Sequence, residues 1–347
     1  MNNLHKQMMS DKQADVARLN IATRQRFIAA ALVMLLLLFG LVSLGVGAVY
    51  IPVDQVMLTL FGQDAEGAFI IEKYRAPRVV LSVLVGAGLA ISGTILQGVL
   101  RNPLASPDVI GITKGAGLAA SITIILFPAT SIIALPLSAF AGATVVALLL
   151  FAFVYRRGAR PTTLALTGIA LGAMCDAGIQ YLMVKHPVDV NAALIWLTGS
   201  VWGRGWDEVL GVLPWLLLLI PLALAFAGKI DVLVLGDDVA AGLGENVKRL
   251  RLLLVALAVA LAGVSVAVVG AIGFIGLIAP HMARRLVGAK HGILMPVAGL
   301  IGAILVLTAD TLGRAIIPPV EFPAGLITAA IGAPYFLYLL RRERKVR

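Results

Sequence analysis

The sequence has little charge and few groups that could carry out chemistry. Only 13% of its 347 residues are charged, against about 25% in a typical soluble domain. It has a single cysteine, Cys175, so an intramolecular disulfide is excluded and nothing near it suggests a metal site. The P-loop, HExxH and GxSxG patterns are absent, which leaves no recognisable nucleotide, zinc-protease or serine-hydrolase motif. We therefore predict no catalytic residues and no metal ligands.

Long apolar runs make up most of the chain. Hydrophobic residues account for 60% of the sequence, and runs of about 18 or more residues, each able to cross ~30 Å of hydrocarbon as a helix, recur from end to end. The eighth run is short and is expected to be broken by Pro280. These features predict an all-α, polytopic membrane protein, a bundle of ten transmembrane helices at roughly 28–49, 79–100, 112–127, 131–154, 163–184, 208–228, 250–270, 274–287, 295–314 and 324–340.

The basic residues indicate how this bundle is oriented. An even number of spans places both termini on one side, and 22 of the 28 Lys and Arg residues then fall on that side, Arg101 and Lys114 among them. By the positive-inside rule this side is the cytoplasm, which also accounts for the net charge of +10 without nucleic acid. We divide the chain into a cytoplasmic tail, residues 1–26, and a transmembrane domain, residues 27–347. The outer side receives Lys73, Arg75, Arg78, Lys185, Arg204 and Arg314.

Two acidic residues, Asp176 and Asp310, fall inside predicted spans. A charge in hydrocarbon costs at least ~2.5 kcal/mol, so such residues usually face a bundle interior or a water-filled path. A proton-coupled secondary transporter would use them. Local pairing, as between Asp310 and Arg314 four residues later, explains them more simply. Small residues such as those of GAGLAISG (86–93) predict close helix packing.

The longest internal cytoplasmic connection, KIDVLVLGDDVAAGLGENVKR (229–249), has an ordered pattern. GDD supplies a start for a short helix and Gly244 a stop, and a second short helix is expected from Glu245-Asn246. A short helix of small residues at the membrane surface suits insertion into a groove of a partner. A simple helix-turn connector explains the same pattern, and the sequence alone leaves both interpretations open.

Four motifs follow one another along the chain: RAPRVVLSVLVGAGLAISGTILQGVLRNPLASPDVIG, LGDDVAAGLGENV, GFIGLIAPHMARR and ADTLGRAIIPPVEFPAGLITAAIGAPYFLYLL. In this order they resemble the permease subunits of iron-siderophore ABC importers, the group that includes the cobalamin permease. The resemblance runs from about residue 50 to the C-terminus. The stretch DVNAALIWLTGSVWGRGW (189–206) is similar to ferric-dicitrate permease subunits and to some hydroxamate or catecholate relatives.

The resemblance implies a function and a set of partners. The expected function is import of an Fe(III)-siderophore complex, ferric dicitrate or a relative, by a transport subunit that is not itself an enzyme. Its implied partners are a second permease subunit (a paralogue or an identical copy), two cytoplasmic ATPase subunits and a periplasmic or lipid-anchored binding protein. No cofactor is expected on this chain, because ATP is used by the ATPases. The implied location is a bacterial plasma membrane, the inner membrane in a Gram-negative cell.

The resemblance also assigns roles to individual residues. Docking of the binding protein is implied for Arg75, Arg78 and Arg314, since a guanidinium can hold a carboxylate with two hydrogen bonds; anchoring to lipid headgroups is the alternative. The fifth, eighth and tenth spans are expected to line the path, with Gln180, Gly276 and Gly325 as candidates. Coupling to the ATPase is implied within 229–249 for Asp237, Asp238, Ala240, Ala241, Leu243 and Gly244.

Overall fold

The computed structural model describes residues 2–63, 65–131, 133–157, 161–188 and 190–343. Their regular structure is helical apart from one isolated bridge between Ile317 and Val320, so the prediction of an all-α chain is confirmed. A π-helix, Ile71–Arg75, leads into α4. The α-helices are α1 Asn2–Gly45, α2 Val53–Leu60, α3 Ala68–Ile70, α4 Ala76–Leu100, α5 Ile112–Leu126, α6 Ala134–Arg157, α7 Pro161–Lys185, α8 Val190–Leu197, α9 Trp206–Ala225, α10 Ala227–Val234, α11 Asp237–Gly242, α12 Val247–Val269, α13 Ile275–Val287, α14 His291–Ala315 and α15 Ala324–Glu343.

Each predicted span coincides with one of these helices, in the predicted order. Seven helices of the described chain are long and apolar enough to cross a membrane, namely α1, α4, α6, α7, α9, α12 and α14. Helices α5 and α15 are apolar but shorter, and α13 has only 13 residues. The chain is therefore a multi-pass membrane protein, while the count of ten spans and the cytoplasmic position of both termini stay predictions.

Helices α4, α12 and α14 form the centre of the bundle. The most apolar stretches of α4 and α12 are 72% and 78% buried, whereas that of α1 is 11% buried. Helix α4 packs against α14, α12, α13 and α9. Its sequence is apolar or small on every side, as expected of a helix that is surrounded by others. Helices α1 and α9 instead expose large side chains such as Leu37 and Leu217, which suits contact with lipid.

Glycine pairs bring the central helices into backbone contact. A Cβ atom added to Gly86 would lie 2.3 Å from the carbonyl oxygen of Gly302 in α14, and one added to Gly93 would lie 1.9 Å from that of Gly276 in α13. No larger residue fits at these distances. The prediction that the small residues of 86–93 pack helices together is confirmed, and it applies to two different neighbours of α4.

Pro280 does not break the eighth span as predicted, because α13 runs through it without interruption. A proline inside a helix has no N–H to donate to the carbonyl four residues earlier, here that of Gly276. The side-chain amide of Gln97 in α4 lies 3.4 Å from the carbonyl oxygens of Gly276 and Leu277. Gln97 thus supplies the donor that Pro280 lacks.

The predicted tail, residues 1–26, does not stand apart from the first span. The described part of it is helical and continuous with the span in α1. Near the end of this segment, the side-chain amide of Gln25 donates to the carbonyl oxygen of Val287, at the end of α13, over 2.7 Å. The division at residue 26 stays a prediction.

Candidate functional site

The short helix predicted in the 229–249 connection is present as α11. It follows Gly236, whose φ of 126° is open to glycine alone, and ends before Gly244, whose φ is 86°. The N–H of Gly244 donates to the carbonyl of Ala241 over 2.9 Å, and the N–H of Glu245 to that of Ala240 over 3.1 Å. These two bonds are the Schellman motif that ends helices at a glycine. The predicted start and stop of this helix are confirmed.

The second short helix predicted from Glu245-Asn246 is absent. Asn246 is instead the N-cap of α12, and its side-chain oxygen accepts from the N–H of Arg249 over 3.1 Å. Lys229 forms an ion pair with Glu245 over 3.0 Å, which joins the two ends of the connection. Asn246 stabilises the start of α12 and not a separate helix, because its side-chain oxygen satisfies an N–H of the first turn of α12.

Asp237 ties α11 to two long helices. Its carboxylate accepts from both terminal nitrogens of Arg251, in the first turns of α12, over 2.8 and 3.3 Å, and it also pairs with Arg101 just after α4. Arg101 donates a further bond to the carbonyl of Leu233 over 2.9 Å. Arg251 is 2% exposed. We call Asp237, Arg101 and Arg251 the clamp; it fixes the position of α11 relative to α4 and α12.

The clamp is complete at neutral pH. The hydrogen bonds from Arg251, together with the positive charges of Arg251 and Arg101, hold the pKa of the Asp237 carboxyl below its ordinary value. A carboxyl with a lowered pKa stabilises the folded state above its ordinary pKa, and this contribution is lost only as the pH falls through the lowered pKa. Acidification within the range of a living cell therefore leaves the clamp intact.

The exposed face of this segment differs in part from the predicted one. Ala240 is fully buried by its own chain, so its side chain cannot contact an ATPase, which corrects its assignment. Asp238, Ala241 and Gly244 are exposed, as is Leu243 at 63%. Val239, 47% exposed and four residues before Leu243, completes an apolar pair that the sequence reading missed. Its i, i+4 spacing from Leu243 was the available signal.

The three arginines predicted to dock a binding protein converge in the structure, but they are buried. Arg75, Arg78 and Arg314 are 5%, 9% and 3% exposed. Arg75 donates to the carbonyls of Leu44, over 2.7 Å, and Val49. The burial excludes the alternative that these side chains anchor the bundle to lipid headgroups, because headgroups lie outside the protein. Docking of a binding protein by these arginines stays a prediction. In this structure their guanidinium groups are buried, so a binding protein would first have to gain access to them.

Asp310 and Glu321 balance this arginine cluster. Arg78 bonds Asp310 over 2.7 Å and Glu321 over 2.9 Å. The predicted pair of Asp310 with Arg314 is present at 3.5 Å, but Arg78 is the closer partner and comes from another helix. The predicted local pair is therefore confirmed, and Arg78 is a second partner that the sequence did not indicate. Sequence distance hid the pair, since Arg78 and Asp310 stand 232 residues apart.

We expect Asp310→Asn to destabilise the purified protein strongly. Removing one partner of a buried ion pair leaves the other charge uncompensated, at a cost of about 3–5 kcal/mol. Thermal unfolding in detergent measures this. The matched control is Glu72→Gln, which removes a carboxylate that is exposed beside the same cluster. Equal melting temperatures for Asp310→Asn and wild type would contradict a structural role for the cluster.

Two of the three path candidates pack helices instead of lining a path. Gly276 is buried against α4, as described above. A Cβ atom on Gly325 would lie 1.9 Å from the carbonyl oxygen of Thr198, and its N–H donates to the carbonyl of Gly199 over 2.9 Å. Both positions are glycine because backbone approaches them closely, which corrects their assignment. Gln180, by contrast, is exposed on α7 and lines a pocket.

This pocket has a volume of about 280 Å³ and contains an ion pair between Lys114 and Asp176. Its other polar lining residues are Thr113 and Gln180. Asp176 thus has a basic partner inside the bundle, which the sequence reading did not find. Lys114 is predicted on the cytoplasmic side, at the start of the span 112–127; the structure places it in the first turn of α5, where it pairs with Asp176 of α7.

These features define a multi-pass membrane protein with polar clusters around Arg78, around Asp237 and in the pocket beside α5 and α7. In the described part of the chain, no group of three or more His, Cys, Asp or Glu side chains could hold a metal ion. The sequence profile of the FecCD transport family matches residues 35–342, and the chain belongs to this family. Its members are permease subunits of ABC transporters, which are transport components rather than enzymes. The resemblance to iron-siderophore permeases is thereby confirmed.

Individual relatives support this assignment. The Fe(3+)-citrate import system permease protein YfmE of Bacillus subtilis (strain 168) is 58% identical over 314 residues, 90% of this chain and 94% of the relative. The Fe(3+) dicitrate transport system permease protein FecD of Escherichia coli (strain K12) is 44% identical, covering 88% of this chain and 95% of FecD. A solved metal-chelate type ABC transporter in an inward-facing conformation has a TM-score of 0.81 at 31% identity, covering 91% of this chain and 99% of that one.

Proposed function

We propose that this chain is the transmembrane subunit of an importer for ferric dicitrate or a related Fe(III) chelate. It would receive the chelate from a binding protein and draw energy from separate ATPase subunits that use ATP. The observation that carries this proposal is the 236–244 segment, which exposes apolar side chains to a partner while the clamp fixes it to α4 and α12. The two relatives named for Fe(3+)-citrate or dicitrate support the substrate.

The geometry suggests how a partner's motion would reach the bundle. In this proposal, ATP-driven closure of the ATPase pair displaces α11, which the partner grips at Val239 and Leu243. Because Asp237 bonds Arg101 and Arg251, the displacement is passed to the inner end of α4 and the beginning of α12. These central helices then tilt as rigid bodies, and the path opens to alternate sides. The chain itself performs no covalent step.

The assembly that we propose contains two permease subunits, identical or paralogous, two ATPase subunits and a binding protein. Ten spans with both termini in the cytoplasm, in a bacterial plasma membrane (the inner membrane of a Gram-negative cell), place α11 on the side where ATP is available. On the outer face, Glu321 is 28% exposed and covers Arg78. A carboxylate of the binding protein would dock by replacing Glu321 on Arg78.

A proton-coupled secondary transporter is the second candidate, and the ion pairs weigh against it. Asp310 is bonded by Arg78 and Arg314, and Asp176 by Lys114. Both carboxylates are held in ion pairs, so neither is a free carboxyl group. A proton relay requires a chain of such exchangeable groups, and these two acids lie in separate clusters.

Uptake by the complete importer in proteoliposomes tests the proposal. We expect radiolabelled iron to enter as its citrate complex only when the ATPase subunits are present and ATP is supplied on their side of the proteoliposome membrane. Hydroxamate and catecholate complexes serve as comparison substrates. A protonophore should leave the initial rate unchanged. Uptake that continues without the ATPase and collapses with the proton gradient would establish the second candidate.

A further inference from the structure

The ion pair of Lys114 and Asp176 lies beside the middle of α7, one of the helices long and apolar enough to cross a membrane. Asp176 is fifteen residues beyond Pro161, the first residue of α7, and therefore about 22 Å along a helix that spans about 37 Å. The side chains of Lys114 and Asp176 are nevertheless 40% and 41% exposed. Exposed charges at this depth are strongly unfavourable in hydrocarbon, so they indicate a water-filled cavity.

Close backbone approach builds this position into the fold. Gly111, just before α5, has a φ of 81°, and a Cβ atom there would lie 2.9 Å from both the carbonyl oxygen of Gly168 and the nitrogen of Gly172. The start of α5 can therefore touch the middle of α7. Lys114, in the first turn of α5, is brought beside Asp176 by this contact.

The polar groups of the pocket match a ligand rich in oxygen. The exposed amide of Gln180 supplies hydrogen-bonding groups beside the ion pair, while Thr113 and three apolar residues complete the wall. Lys114 supplies one cation, and the N-terminal turn of α5 adds partial positive charge. A second carboxylate, Asp108, lies within electrostatic reach of Lys114 but interacts with Thr113 and the backbone of Phe274.

We propose that this pocket is a transient site for a carboxylate-bearing ferric chelate on its way through the bundle. Lys114 exchanges its bond with Asp176 for a bond to a carboxylate of the chelate, while Gln180 hydrogen-bonds another of the chelate's oxygens. No covalent bond forms or breaks. The proposal rests on the proposed function, whose substrate class it explains.

The pocket is suited to brief rather than tight binding. Its one cation is shared with Asp176, which remains in place to recover Lys114 when the chelate leaves. A chelate carboxylate gains a charge-assisted bond only by displacing another one, so the net affinity is small. Passage requires this property, because a tightly held chelate would not be released.

Removing both charges separates this role from a structural one. The variant Lys114→Met/Asp176→Leu removes both members of an ion pair whose side chains are 40% and 41% exposed, and an exposed pair contributes only about 0–1 kcal/mol to stability. We expect it to assemble with its partners and melt like wild type, while citrate-dependent iron uptake falls about tenfold, because an anionic chelate then passes this part of the bundle with no cation to compensate its charge. Lys114→Arg, which keeps the cation, should retain most uptake. Unchanged uptake by the neutral double variant would overturn the proposal.

Thiol labelling provides a test that does not depend on transport. In a Cys175→Ser background, Gln180→Cys in the assembled complex should react with a charged, membrane-impermeant thiol reagent, and ferric citrate should slow the reaction. Tyr181→Cys is the matched control; Tyr181 is 62% exposed on the neighbouring face of α7 and should not be protected. A Gln180→Cys that is unreactive, or reactive without protection by ferric citrate, would overturn the site. Failure of the wild-type complex to import iron would instead overturn the proposed function.

Discussion

Replacing Val239 and Leu243 together by aspartate is expected to abolish iron uptake by the assembled importer. The two side chains lie one helical turn apart and form the apolar surface of the 236–244 segment. An exposed apolar pair on a short helix, fixed from behind by the clamp, has the character of an interface anchor. Truncating such an anchor typically costs at least about 2 kcal/mol of binding, or roughly 30-fold, and a charge in its place costs more.

Two measurements separate loss of the partner from loss of the fold. Both side chains point away from the chain, so the variant should melt at the wild-type temperature in detergent, whereas co-purification of the ATPase subunits should be lost. The control is Val188→Asp, at a valine that is 89% exposed in the connection that follows α7. It should retain both uptake and the ATPase. Normal co-purification and uptake in the double variant would refute the coupling assignment.

Gly93→Ala is expected to produce a large loss of stability from a single methyl group. The added Cβ would lie 1.9 Å from the carbonyl oxygen of Gly276. The two atoms belong to α4 and α13, and neither helix can move away from the other without disturbing its contacts with α14. Overpacking commonly costs about 1–3 kcal/mol, and a clash with backbone falls at the upper end of that range or above it. The expected readout is a low yield of folded protein and a clearly lower melting temperature.

Gly211→Ala is the matched control for this prediction. Gly211 also lies within an apolar helix, α9, but a Cβ there would meet nothing within 4 Å. Alanine favours a helix over glycine by up to ~1 kcal/mol, so this variant should be as stable as wild type or slightly more stable. Equal melting temperatures for Gly93→Ala and Gly211→Ala would show that α4 and α13 are not held at the distance described.

The local features of this fold could be predicted from the sequence, and its long-range pairs could not. Long apolar runs predict helices because a chain in hydrocarbon must satisfy its own backbone hydrogen bonds. Gly236 and Gly244 determine where α11 begins and ends, because each adopts a positive φ. The partners of Asp310 and Asp176 depend on which helices meet, and that depends on shapes distributed over the whole bundle. The neighbours of Gly276 and Gly325 also could not be predicted from the sequence. A glycine leaves open space where no other helix is near, and it allows close backbone contact where one is. Only the identity of the neighbour distinguishes the two.

Helix α4 has a role that none of its residues shows alone. Within its length of about 37 Å, and in the residue that follows it, this helix holds Arg78 of the arginine cluster near one end, glycine contacts near its middle, and Gln97 and Arg101 at the other end. A rigid helix that contacts its neighbours at three positions along its length transmits a displacement of one end to the other end. Events at the two mouths of the importer are therefore mechanically inseparable, and a lesion at one mouth should change the response measured at the other.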